Sequence, residues 1–292
     1  MRKSTLPVSC LGSVYIGSRA NEVILSIESL VANYFADQVI VVIDGCIISE
    51  LHEVLQDYES REIIHCLYLP ENHGLGMALR EGLKHCRNEL VVRFDTDDIN
   101  DPERLNILYQ ASIQHPSIDI IGSYVYEFTP LESNNALIGL KKVPCDHKRI
   151  CRSLTVRNSL NHPSVAFRRS SILKIDSYQH MPLFEDYYLW LRARRHGLQF
   201  LNLGLPLVYM RRTNTLERRS GSAYLKLELS FLRTIMAQNL LSPIYVAVFL
   251  LRLALRALPR RLQMIQNFMP WRSRRFIGLN PELNYTYGLN DN

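Results

Sequence analysis

Three carboxylates within four residues, Asp95, Asp97 and Asp98, follow the run Leu90-Val91-Val92-Arg93-Phe94 without a break. Carboxylates this close repel one another, and each is costly to desolvate alone. A hard divalent cation with oxygen ligands resolves that conflict, so Asp95 and Asp97 read as metal ligands. The alternative is a solvated acidic turn ahead of the helix that Asp101-Pro102 opens. A second acidic pair, Glu185-Asp186, opens a stretch whose apolar residues include Leu189, Trp190 and Leu191. Acids in a first helical turn serve the helix dipole. Facing a metal site, one of them is a general base, provided burial or neighbouring acids raise a pKa that the dipole lowers. Two further positions lie where strand-like runs end: Tyr15, with Ser18 and Arg19, and Asp44 before Gly45. In a parallel sheet these ends and the acid cluster share one edge, outside which ligands bind. A nucleotide suits such a pocket. An aromatic stacks on a base, Asp44 accepts a hydrogen bond from a base N–H or a ribose hydroxyl, and a metal on Asp95 and Asp97 also holds a diphosphate. Taken alone, Asp44-Gly45 is an ordinary strand-to-loop turn.

The elements that must position these groups appear as alternating patterns. Residues 8–16, 39–43, 63–69, 90–94 and 118–121 read as strands, several apolar on both faces. Between them, residues 20–35, 50–58, 74–86 and 102–115 have helical spacing; Val23, Ile27, Leu30 and Val31 share one face of the first. Strand and helix alternate with short connections, which predicts an α/β fold with a mostly parallel sheet covered by helices. Beyond Gly122 the pattern changes. Residues 124–143 read as an irregular excursion or hairpin, 146–154 as a short helix and 164–167 as a strand. Residues 184–196 form a helix stopped by Gly197, followed by strands at 198–203 and 207–211 and a long helix at 216–241. The domains expected are 1–212, with halves 1–122 and 123–212, and a helical region at 213–292.

With 47% apolar and 21% charged residues the chain is ordinary for a globular protein. Its formal charge of +6 is confined to one place: residues 242–275 carry seven arginines and no acid. Residues 244–258 are apolar apart from Arg252 and Arg256, and are shorter than the roughly 20 residues a spanning helix needs. This segment reads as an interfacial helix on an anionic membrane surface; the alternative is a helix packed on the main domain. No nucleic-acid-binding motif accompanies the arginines, so nucleic acid is not an expected partner. The six cysteines are scattered with no Cys-x-x-Cys pair, as in a reduced cytoplasmic protein, and the N-terminus lacks the apolar region of a signal peptide.

Several stretches together carry a resemblance. They are Ser13-Val14-Tyr15, Val39-Ile40-Val41-Val42-Ile43-Asp44-Gly45, Asn72-His73-Gly74-Leu75-Gly76-Met77-Ala78-Leu79-Arg80, Arg93-Phe94-Asp95-Thr96-Asp97-Asp98, Asn161-His162-Pro163-Ser164 and Phe184-Glu185-Asp186-Tyr187. In order and spacing, across roughly residues 8–211, the chain resembles the family 2 nucleotide-sugar glycosyltransferases of the GT-A fold, in the bacterial branch that makes O-antigen and exopolysaccharide. The resemblance implies an inverting transferase using Mn2+ or Mg2+. By it, Asp44 contacts the base, Asp95 and Asp97 serve ribose and metal, and Asp186 is the catalytic base beside Glu185. Asn72, Gly74 and Arg80 lie by the diphosphate or ribose, and His162 lies on the acceptor side. The donor it suggests is a UDP-hexose such as UDP-galactose. The acceptor is a saccharide on a lipid diphosphate, met by a peripheral enzyme at the inner face of the cytoplasmic membrane. The chain departs from the family pattern in three places: Ile16-Gly17-Ser18, Ile43 before Asp44, and Asp176-Ser177-Tyr178 where Gly-Gly-Tyr is usual. Two other readings compete. A nucleotidyltransferase calls for a glycine-rich basic loop near the first strand, and Gly17-Ser18-Arg19 is too thin for one. A non-catalytic membrane adaptor accounts for the arginines but not for the ordered motifs.

Overall fold

A computed structural model describes residues 5–129, 136–212 and 221–257, with backbone only at 136–138, 221–223 and 252–257. The strands are β1 (Thr5–Val14), β2 (Phe35–Asp44), β3 (His65–Leu69), β4 (Leu90–Arg93), β5 (Ile99–Asn100), β6 (Ile120–Thr129), β7 (Ala136–Lys141), β8 (Ala166–Arg168) and β9 (Phe200–Arg211). The helices are α1 (Ala20–Leu30), α2 (Ser49–Ser60), α3 (Leu75–His85), α4 (Arg104–Gln114), α5 (His147–Ser153), α6 (Arg169–Lys174), α7 (Glu185–Arg195), α8 (Gly221–Ala237) and α9 (Pro243–Ala257). One sheet runs β3-β2-β1-β4-β8-β6-β9-β5, with β7 paired to β6. Strands β3, β2, β1 and β4 are mutually parallel, as are β6 and β9; β8 runs antiparallel to both of its neighbours. This is the α/β architecture the alternating pattern predicts.

The central strands are apolar on both faces because both faces are covered. Successive strand side chains point to opposite sides, and the core divides accordingly. Ile40, Val42 and Val91 pack with α3, α7, α8 and α9, whereas Val39, Val41, Ile43 and Val92 pack with α1, α2 and α4. Helices α8 and α9 bury Phe231, Leu232, Ile235, Val246 and Phe249 in the same cluster as Trp190, so residues C-terminal to 212 share the main core as far as Phe249.

Several elements differ from their sequence patterns for physical reasons. The strand expected at 118–121 continues as β6 to Thr129 and turns back as β7, so the segment after Gly122 is a hairpin. Residues 198–203 and 207–211 join in one strand, β9, whose register against β6 slips opposite Pro206. Proline offers no ladder donor, so the pairing is irregular there without ending. His162–Ser164 is a 3-10 turn, and the strand starts only at Ala166. The basic segment beyond Ala257 and residues 280–292 lie outside the described residues. All six cysteines are free thiols, with Cys10 and Cys86 buried.

Candidate active site

Strand β4 is buried at every position and pairs in parallel with β1, Leu11 opposite Arg93. Phe94 closes over Gly12, where even a methyl would lie 2.7 Å from the ring. The chain then folds into a turn that its neighbours pin. Asp98 N donates to Asp95 O (3.3 Å), Ser26 Oγ donates to the same carbonyl (2.8 Å), and Thr96 Oγ1 donates to Ser13 O (3.0 Å). The turn gathers Asp95, Asp97 and Asp98, with one carboxylate oxygen from each lying within 4.8 Å of the others. Asp98 Oδ1 accepts from Arg211 N (2.7 Å) on β9, while its buried Oδ2 has no hydrogen-bond partner among the described residues. Burial, Asp95 and Glu22 push Asp97 up to about 6, and burial with Asp97 and Asp95 holds Asp98 well above the usual carboxylate range. Converging oxygens, one of them orphaned, and carboxyls that resist ionising without a cation are the donor set that Mg2+ or Mn2+ accepts. Asp98 joins the pair that sequence pattern singles out.

Arg93 supplies part of the countercharge. It is 1% exposed and its guanidinium binds Asp95 Oδ1, leaving Nε and Nη1 without a partner among the described residues. Its charge also reaches Glu185, Asp97, Asp98, Tyr178 and His162. Arg93 therefore lies where the β4 turn and the start of α7 converge. Glu185 is half-buried there, and desolvation followed by the neighbouring Asp186 raises its carboxyl to about 7. Gly76 in α3 makes room for it: a Cβ there would stand 2.8 Å from Glu185 Cβ. Asp186 Oδ2 accepts from Asn158 Nδ2 (2.6 Å) and Oδ1 from Tyr187 N (2.6 Å), which fixes its orientation.

The remaining predicted residues fall into two groups. At the sheet edge, Tyr15 is 40% exposed beyond β1, with its ring folded over Gly17. Asp44 is buried, and its carboxylate accepts from His73 N (2.8 Å) and Gly74 N (2.9 Å), while Asn72 Nδ2 donates to Asp44 O (3.0 Å). Asp44, Asn72 and Gly74 thus brace one another into the loop that starts α3. Gly45 and Gly74 have φ of 80° and 84°, a conformation that favours glycine. The other group lies behind the acids. His162 Nε2 is 2.9 Å from Tyr178 Oη, its ring meets Trp190 edge-on, and burial followed by Arg93 holds its pKa well down, so it stays neutral. Arg80 Nη1 donates to Asp176 O and Tyr178 O (both 2.9 Å), and Nη2 pairs with Asp176 Oδ1 (2.6 Å). Arg192 donates to Ile175 O and Ser177 O. Four successive carbonyls are thereby held by two arginines, fixing a turn in which Asp176 and Ser177 have positive φ. Arg80 and His162 support Tyr178 and the approach to α7. Arg93, Asn158 and Tyr178 were not singled out as site residues from sequence; Arg93 carried a signal as the first residue of the acid-cluster motif and Tyr178 as the tyrosine of the atypical triplet before α7, whereas Asn158 carried none.

Residues 18–175 match the model for glycosyl transferase family 2. The chain belongs to that family. This glycosyltransferase is 34% identical over 268 residues to an uncharacterized glycosyltransferase of Haemophilus influenzae, covering 89% of this chain and 98% of the relative. It is also 34% identical over 226 residues to a UDP-Gal:alpha-D-GlcNAc-diphosphoundecaprenol beta-1,3-galactosyltransferase of Escherichia coli, covering 77% and 81% of the two chains. The mannosyltransferase PcManGT from Pyrobaculum calidifontis, solved with GDP-Man and Mn2+, superposes with a TM-score of 0.53 at 12% identity, over 91% of this glycosyltransferase and 84% of that chain. At that identity the likeness speaks to the fold, which is GT-A.

Proposed function

We propose that this glycosyltransferase is an inverting, metal-dependent enzyme of bacterial surface-polysaccharide synthesis. It moves a hexose from a nucleotide sugar, with UDP-galactose the leading candidate, to a saccharide on a lipid diphosphate at the inner face of the cytoplasmic membrane. The observation that carries the reading is the meeting of two acidic sets around one buried arginine. Asp95, Asp97 and Asp98 come from the turn after β4, Glu185 and Asp186 from the first turn of α7, and Arg93 acts on both. A cation-holding set opposite a base-bearing helix start is what displacement at an anomeric carbon needs.

Asp186 takes the proton of the acceptor hydroxyl as that oxygen bonds to the anomeric carbon. The bond from that carbon to the diphosphate oxygen breaks, and its electron pair leaves with the diphosphate. One displacement inverts the centre. Hydrogen bonds from Asn158 Nδ2 and Tyr187 N hold the Asp186 carboxylate in place for that role. A Mn2+ or Mg2+ ion held by Asp95 and Asp97 would supply charge stabilisation to the departing nucleoside diphosphate. Glu185, raised to about 7, titrates beside the base near neutral pH. Tyr15 offers the base a stacking surface, and the loop that Asp44 braces lies on the diphosphate side.

The donor and acceptor are supported by the Escherichia coli relative, whose name specifies UDP-Gal and GlcNAc-diphosphoundecaprenol. The Mn2+ in the Pyrobaculum mannosyltransferase supports the metal. The test is a binding panel of UDP-, GDP- and dTDP-sugars with and without Mn2+, on wild type and Asp97→Ala. Metal-dependent binding of one sugar nucleotide, lost in the variant, is expected. Binding of none, or equal metal-dependent binding by the variant, refutes the reading.

A further inference from the structure

Helix α9 is apolar all the way round in its first half, yet among the described residues only one side of it is covered. Residues 243–251 contain no charged group. Val246 and Phe249 are buried, with the Phe249 ring 5.9 Å from Phe231 and 6.5 Å from Tyr187. On the opposite side Pro243, Ile244, Ala247, Leu250 and Leu251 all face solvent, with Ile244 69%, Leu250 48% and Leu251 53% exposed. Their spacing makes one continuous apolar stripe. A helix hydrophobic on every face belongs inside something, and this one is half inside the protein.

The charges around the stripe say what covers the other half. No acid occurs between Glu228 and Glu282, while that stretch holds eight arginines. Glu228 itself is buried. At the other end of the stripe, Arg195 is exposed and donates to Asn239 O (2.7 Å) in the turn between α8 and α9. With Arg194 it lines a cavity against Pro243 and Tyr245. An apolar face with no acid in its own helix, and with Arg194 and Arg195 beside its start, complements a layer that is apolar inside and anionic at its rim. Among the described residues no helix is long and apolar enough to cross a membrane.

We propose that the outer face of α9 docks the protein on an anionic phospholipid bilayer, with the helix lying in the plane of the interface. The proposal rests on the lipid-borne acceptor read above only for its purpose; the surface itself is argued from α9. Phe249 on the inner face packs against Tyr187, the residue after Asp186. A bilayer on the outer face therefore lies one helix diameter, roughly 10 Å, plus the length of the Tyr187 side chain, from the turn that carries the base. That is where a saccharide anchored by a lipid has to arrive.

The test uses the full chain and vesicles of phosphatidylcholine with or without phosphatidylglycerol. Wild type should sediment with the phosphatidylglycerol vesicles, less so as salt is raised. The double variant Ile244→Asp/Leu251→Asp should bind at least about tenfold more weakly, since two side chains that enter the interface become charged. Both positions are exposed, so metal-dependent donor hydrolysis without vesicles should match wild type and report an intact fold. The proposal is overturned if wild type ignores the anionic vesicles or if the double variant binds them equally well. It is also overturned if light scattering shows the stripe closing a dimer that the double variant dissolves while vesicle binding is absent. Failure of donor hydrolysis in wild type would count against the catalytic reading and leave vesicle binding to be judged separately.

Discussion

A methyl group added at Gly76 has no space to enter. The Cβ of alanine would stand 2.8 Å from Glu185 Cβ and 3.5 Å from both Glu185 Cγ and Gln179 O. Neither Cβ can rotate away, because each is fixed to the backbone of a helix. Ordinary contact begins near 3.4 Å, so α3 and α7 must part by about 0.6 Å. Overpacking of this kind costs about 1–3 kcal/mol. At roughly 2–4 °C per kcal/mol for a domain of this size, the melting temperature of Gly76→Ala should fall by about 2–12 °C. The chemistry should suffer more than the fold. A misplacement of 1 Å loses on the order of a hundredfold in rate, so a shift near half that size should lower kcat about tenfold. Donor affinity should hold within about twofold, because the proposed mechanism puts the displaced group on the acceptor and base side of the diphosphate. Initial rates of sugar transfer, a donor titration and a thermal melt decide the matter. A Gly76→Ala enzyme with wild-type kcat and an unchanged melt would show that the contact between α3 and Glu185 does not set the geometry of the site.

Two other perturbations probe the charges. Glu185 is raised to about 7 from an ordinary 4.5, so the folded protein holds a proton that the unfolded chain releases between those values. Its contribution therefore lowers stability as pH rises through that window. In metal-free melts, Glu185→Gln should be more stable than wild type at pH 8, by no more than about 3 kcal/mol, and no more stable at pH 4; equal stability at pH 8 would contradict the desolvation of that carboxyl. Arg93→Met strips the buried countercharge from Asp95 and should cost about 3–5 kcal/mol in chemical denaturation. Mn2+ should raise the melting temperature of that variant more than that of wild type, because the ion replaces the missing charge; an equal rise would separate Arg93 from the metal-binding set.

The β4 stretch was legible because charge at the end of an apolar run is a local conflict, visible without a fold. The alternation of strands and helices through α4 was legible for the same reason, since each period is set by near neighbours. The rest depends on contacts between distant parts of the chain. Arg93 in a strand gives no sign of being buried until the turn brings Asp95 back against it. Asn158 lies in an aperiodic segment and acquires its role only from Asp186, 28 residues on. Asp44 was placed correctly at a strand end, but that His73 and Gly74 amides occupy its carboxylate follows from the path of the next loop. Likewise the family resemblance put Arg80 beside the diphosphate or ribose, and only the fold shows that its guanidinium also grips a turn 96 residues away. Pro206 read as the gap between two strands because proline breaks the ladder locally, while β6 holds the flanking residues in one strand.

The most direct measurement is transfer itself. Wild type and Asp186→Asn would be given UDP-galactose, Mn2+ and a synthetic GlcNAc-diphosphate-lipid, with product and donor affinity followed together. The asparagine keeps the shape and the contact with Tyr187 N but accepts no proton. The account predicts β-linked product from wild type, with kcat lower by about two to four orders of magnitude in the variant and donor affinity unchanged. An Asp186→Asn enzyme that transfers sugar at the wild-type rate would contradict it.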